Sequence, residues 1–175
     1  MRKTLWLGMP VVMATLAGCA SGVTVPDAHR DTKPAVRALE GFSVELSPQA
    51  KAQLPSNIQF DVDALTRAMD RAFATRNLVA ADGDYRLKVV ITDIRVRSTF
   101  NAVMWGFMAG DDHVNGDGFI HPKGDDSRVH EFKIKTSYAL GGFAGGQDST
   151  RMDWMYEEFA KKTADYLAKK RDTRS

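Results

Sequence analysis

Apolar and polar residues alternate along Gly41-Phe42-Ser43-Val44-Glu45-Leu46, the two-residue period of a half-buried strand. Pro48 and Pro55 bracket a loop after it. The period then changes: Val62, Leu65, Met69, Ala72 and Phe73 recur on one helical stripe, with Asp61 placed to cap its start and Asn77 to end it. Asp82-Gly83-Asp84 supply a turn. Tyr85, Leu87, Val89 and Ile91 share one parity and Ile94 and Val96 the other. Such a strand carries a bulge near Thr92-Asp93 or is buried on both faces at its centre. A shorter strand is expected from Val114 to Ile120, and a cleaner one from Arg128 to Leu140. In the latter Phe132, Ile134, Tyr138 and Leu140 face one way and Glu131, Lys133, Lys135 and Ser137 the other. After the glycine-rich Gly141 to Gly146, a helix from Thr150 to Lys170 turns Met152, Met155, Phe159, Thr163, Tyr166 and Leu167 inward. The order β-α-β-β-β-α predicts an α+β domain, an antiparallel sheet with two helices packed on one face.

The first residues follow a different logic. Met1-Arg2-Lys3 is positive, and from Leu5 to Leu16 an uncharged, mostly apolar run follows. A positive start, a short apolar core and small residues before a cleavage point make a secretory signal. At about a dozen residues the run is too short to span roughly 30 Å of hydrocarbon as a helix. Leu16-Ala17-Gly18-Cys19 resembles the lipobox of bacterial lipoproteins, whose cysteine thiol receives a diacylglyceryl group before cleavage. Cys19 is the chain's one cysteine, so no intramolecular disulfide can form. At about 0.8 kcal/mol per buried methylene, two or three acyl chains, palmitate among them, anchor durably. By the same resemblance Ala20, where an inner-membrane lipoprotein carries Asp, implies the outer membrane, with the domain facing the periplasm.

The expected organisation is then a signal peptide over 1–18, a lipidated tether over 19–40, one α+β domain over 41–170 and a tail over 171–175. The tether is small, polar and proline-bearing, with an expected reach near 25 Å, from about 5–6 Å times the square root of its length. Removing Arg2 and Lys3 cancels the formal charge of +2, so no case for nucleic acid survives processing.

Candidate chemistry is sparse. Asp111-Asp112-His113-Val114-Asn115-Gly116-Asp117 gathers oxygen and imidazole ligands, and Asp111, Asp112 and His113 are the residues a metal would use. An EF-hand-like loop starting at Asp111 would need a closing carboxylate where Pro122 stands. A polar turn between strands accounts for the composition, and no metal or other cofactor is expected. There is no G-x-S-x-G elbow, and the glycines of 141–146 lack the Lys-Ser or Lys-Thr of a phosphate loop.

The segment from Phe100 to Gly110 carries no charge and sets Met104, Trp105, Phe107 and Met108 among small residues. It either folds into the core or docks a partner or the bilayer. From Tyr85 to about Leu167 the chain resembles bacterial lipoproteins grouped only as a domain of unknown function. The strand Tyr85 to Thr92, the run Gly106-Phe107-Met108-Ala109-Gly110, Gly141-Gly142, Gly145-Gly146 and the terminal amphipathic helix carry that resemblance. It implies an outer-membrane lipoprotein with a small domain and no established enzymatic activity. The expectation is a non-enzymatic, lipid-anchored binding or assembly module with an envelope protein as partner. A metal-assisted hydrolase using Asp111, Asp112 and His113, or a carrier of a small apolar ligand, are its rivals.

Overall fold

The computed structural model describes residues 21–96, 111–138 and 148–169. Five strands form one sheet in the order β1-β5-β4-β3-β2: β1 (Gly22–Thr24), β2 (Leu39–Leu46), β3 (Tyr85–Arg95), β4 (Asp112–Pro122) and β5 (His130–Tyr138). The helices are α1 (Pro48–Gln53), α2 (Val62–Thr75) and α3 (Asp148–Ala168).

The expected antiparallel sheet is corrected to a mixed one. β3 to β5 and β1 pair antiparallel, but β2 runs parallel to β3, with Val44 opposite Val89. Two helices stand between β2 and β3, and a crossover of that length returns the chain in the direction it left, which no hairpin can do. The order β-α-β-β-β-α also omits two elements. Pro48 opens a helix where a loop was expected, with the Ser47 hydroxyl accepting from Ala50 N. The stretch expected to be an unordered tether contains β1, where Val23 pairs with Ile134 of β5. Three residues before Pro26 are too few to display a period.

The α2 expectations hold. Asp61 accepts from Asp63 N and Ala64 N, and Asn77, at φ 52°, takes the left-handed conformation that ends helices. The parity switch in β3 is a bulge: Ile91 faces Gly116 and Asp93 faces Asn115, leaving Thr92 extra.

Leu65, Met69 and Phe73 of α2 and Met155 and Phe159 of α3 close over Leu87, Val89, Ile91, Val114, Ile120, Phe132 and Ile134, all at most 1% exposed. Gly118 is required by this packing, because a Cβ there would lie 2.3 Å from the Phe132 ring. Where β2 ends, side chains continue its ladder. Gln53 Oε1 accepts from Ile94 N at 2.9 Å, and Asn57 Oδ1 accepts from Val96 N at 2.6 Å.

Candidate functional site

The bulge turns Asp93 onto the sheet face away from α2 and α3, beside His113 and Asn115 of β4. His113 Nε2 lies 2.9 Å from Asp93 Oδ2, and Gln53 Nε2 donates to Asp93 Oδ1 at 2.7 Å. Asn115 approaches the same carboxylate at 3.5 Å, and Asp111 Oδ1 stands 3.8 Å from His113 Nδ1. The Gln53 amide is the first cause holding the Asp93 carboxyl below its ordinary range; partial burial opposes it, and the His113 bond and charge and Asn115 add to it. The imidazole thus has a carboxylate near each ring nitrogen, an arrangement that fixes the orientation of the ring.

Asp112 does not join that cluster. Successive side chains of a strand point to opposite faces, so Asp112 points under α3, where Arg151 Nη1 meets its Oδ2 at 3.1 Å. The pair is almost wholly buried, at 2% and 1% exposure. The grouping of Asp111, Asp112 and His113 as metal ligands is therefore corrected: the three do not converge, and Asp112 already balances a guanidinium. No group of three possible metal ligands occurs among the described residues. The segment expected to be a polar turn is β4 itself.

Across the open face run the ion pairs Lys88–Glu45 at 2.9 Å and Lys133–Asp117 at 3.1 Å, and Arg128 lies over the Phe119 ring at 4.1 Å. Toward β2 this face deepens into a cleft of about 580 Å3, walled by Gly41, Ser43, Arg86, Lys88, His121 and Asp126. Its cations are matched by carboxylates: Arg86 meets Asp126 at 3.0 Å, and Lys88 meets Glu45 at 2.9 Å.

At the opposite end of the strands, residues 27–36 cross from β1 toward β2. His130, fully buried, lies 2.6 Å from the Tyr166 hydroxyl and 3.2 Å from that of Thr32. Lys33 donates to the carbonyls of Tyr166 and Lys169 and so caps the C-terminus of α3. Burial, and then Lys169, lower the Lys33 pKa, and burial pushes Tyr166 up to about 12.

Sequence patterns missed Arg151, Gln53 and Asn57. Arg151 reads as a solvated residue at a helix start, and the two amides carry no signal until β3 lies beside them. Cys19, Met104, Trp105, Phe107 and Met108 lie outside the described residues.

Residues 28–142 match the family described as a domain of unknown function, DUF4410. No curated protein matches the chain. Among solved structures, it is similar to a leucine-to-methionine variant of the PelC dodecamer from Paraburkholderia phytofirmans, at 12% identity and a TM-score of 0.38, covering 82% of this chain and 96% of that one. It is likewise similar to the PelC dodecamer of that organism, at 11% identity and a TM-score of 0.37, covering 80% and 96%.

Proposed function

The chain belongs to the DUF4410 family, and we propose that it is a cell-envelope lipoprotein acting as a non-enzymatic binding or assembly module. Lipid on Cys19 holds it to the outer membrane, with the domain facing the periplasm. The observation that carries this reading is the uncharged run ending at Leu16-Ala17-Gly18-Cys19, behind a positive start. The binding role is supported by the layering. Helices cover one face of the sheet, and the other offers charge-paired side chains already held in place, a surface that loses little side-chain freedom on contact. The uncharged stretch around Trp105 and Phe107 is, from its sequence, a further candidate for contact with a partner. A hydrolase would have to work without Asp112, which is paired with Arg151.

Two experiments test the reading. Cys19→Ser is expected to abolish acyl labelling and to release the protein from membranes; persistent labelling overturns the anchor. A photo-crosslinker at Trp105 is expected to capture one envelope protein in cells, and capture of none overturns the module.

A further inference from the structure

The first described residues bear on how an anchored domain would stand. The Ser21 hydroxyl accepts from Ser137 N at 2.9 Å, and β1 begins at Gly22. Only Ala20 separates Ser21 from Cys19. Three Cα steps of 3.8 Å put the Cys19 Cα within about 11 Å of that of Gly22. A headgroup layer is roughly 5–8 Å thick, so folded structure starts about one such layer from the acyl chains.

The end of the sheet nearest Cys19 is defined by four elements. Here β1 begins, β3 ends at Arg95, β4 begins at Asp112 and β5 ends at Tyr138, while Arg151 brings in the first turns of α3. Three large apolar side chains are exposed among the described residues, and two of them stand at this end. Ile58, 81% exposed, follows Asn57, which is bonded to Val96 N beyond the end of β3. Trp154, 41% exposed, has its ring 5.1 Å from that of Tyr138. The third, Val79, bridges to Leu39 at the other end, where β3 begins.

Resting on the lipoprotein reading, we infer that the domain docks on the phospholipid surface through this end, with Ile58 and Trp154 in the interface. The short link sets the distance, and an exposed aliphatic and an indole are side chains suited to that depth. The exposed carboxylates of Asp63 and Asp153, close to these two residues in the chain, stay hydrated and hold the docking to headgroup level. The open face of the sheet then stands upright on the membrane, free for a periplasmic partner.

Of the three tryptophans, Trp6 leaves with the signal, so Trp105→Phe makes Trp154 the one tryptophan of the processed chain, excited selectively at the red edge of the band. That variant is purified from membranes, the acyl mass on Cys19 is measured, and it is placed in vesicles of zwitterionic phospholipid brominated near the top of the acyl chains. Loss of Trp154 emission relative to unbrominated vesicles is expected. A Trp105→Phe/Trp154→Phe/Val79→Trp variant is expected to keep its emission. Acylated protein whose Trp154 emission is unchanged, or equal loss at position 79, overturns the docking while leaving the anchor intact. A chain without acyl mass overturns the lipoprotein reading and the docking with it.

Discussion

Arg151 of α3 holds Asp112 of β4 at 3.1 Å with both side chains withdrawn from water. Each charge offsets the other there, and the pair ties the start of α3 to the start of β4. Arg151→Met or Asp112→Leu alone removes one member of this buried ion pair and is expected to destabilise by about 3–5 kcal/mol. The double replacement is expected to recover part of that loss. Urea unfolding of the three variants measures both effects, and single variants within error of the parent would show the pair to be dispensable.

How far this was legible differs between elements. Asp61 and Asn77 announce the ends of α2 because capping is local chemistry, and the change of apolar parity between Ile91 and Ile94 announces the bulge because the period of a strand is strict. Strand direction has no such signature: Phe42, Val44 and Leu46 alternate identically whether β3 runs with or against them. At the candidate site, adjacency in sequence misled. Asp112 and His113 are neighbours on a strand and so face opposite sides, while the partners that define them, Arg151 and Asp93, lie on other elements.

Gly118 sits under an aromatic ring, with the Cζ of Phe132 at 2.3 Å from where a Cβ would be built. Gly118→Ala forces that fully buried ring from its place in the core. A loss of about 1–3 kcal/mol is expected, the range for overpacking. Thermal unfolding reads it, and Gly41→Ala, where a Cβ meets nothing within 4 Å, is the control expected to stay near the parent.

Tyr156 and Tyr166 are both pushed up to about 12, first by burial in each case. With the folded value above the ordinary 10.0, folding favours the neutral phenol. That contribution is fully present below about pH 10 and is lost as pH rises toward about 12. Ultraviolet titration is expected to show two late phenolate steps, one of them missing in Tyr156→Phe. The unfolding midpoint is expected to fall over the same interval, and two tyrosines ionising at ordinary pH would contradict the burial.

Gln53 and Asn57 stand in for a strand. β2 stops pairing at Leu46 opposite Ile91, yet the outward amides of Ile94 and Val96 are still bonded, to Gln53 Oε1 and Asn57 Oδ1. The two positions differ in burial, Asn57 being only 6% exposed, so their removal should differ in cost. Asn57→Ala leaves the Val96 N–H without its acceptor in a buried place and is expected to cost about 1–3 kcal/mol. Gln53→Ala, nearer to water, is expected to cost about 1 kcal/mol. The decisive readout is local: hydrogen exchange should quicken at Ile94 in Gln53→Ala and at Val96 in Asn57→Ala, with Val89 unmoved in both. Gln53→Ala carries a second signature, because its amide is the first cause of the lowered Asp93 pKa. Followed by carboxyl NMR, Asp93 should then titrate closer to the ordinary range. Because a lowered carboxyl stabilises the fold above its unfolded value and ceases to as pH falls through the folded one, the variant should also lose less stability than the parent on acidification. Unchanged exchange at Ile94 together with an unmoved Asp93 would mean that Gln53 does not take the place of β2 at this edge.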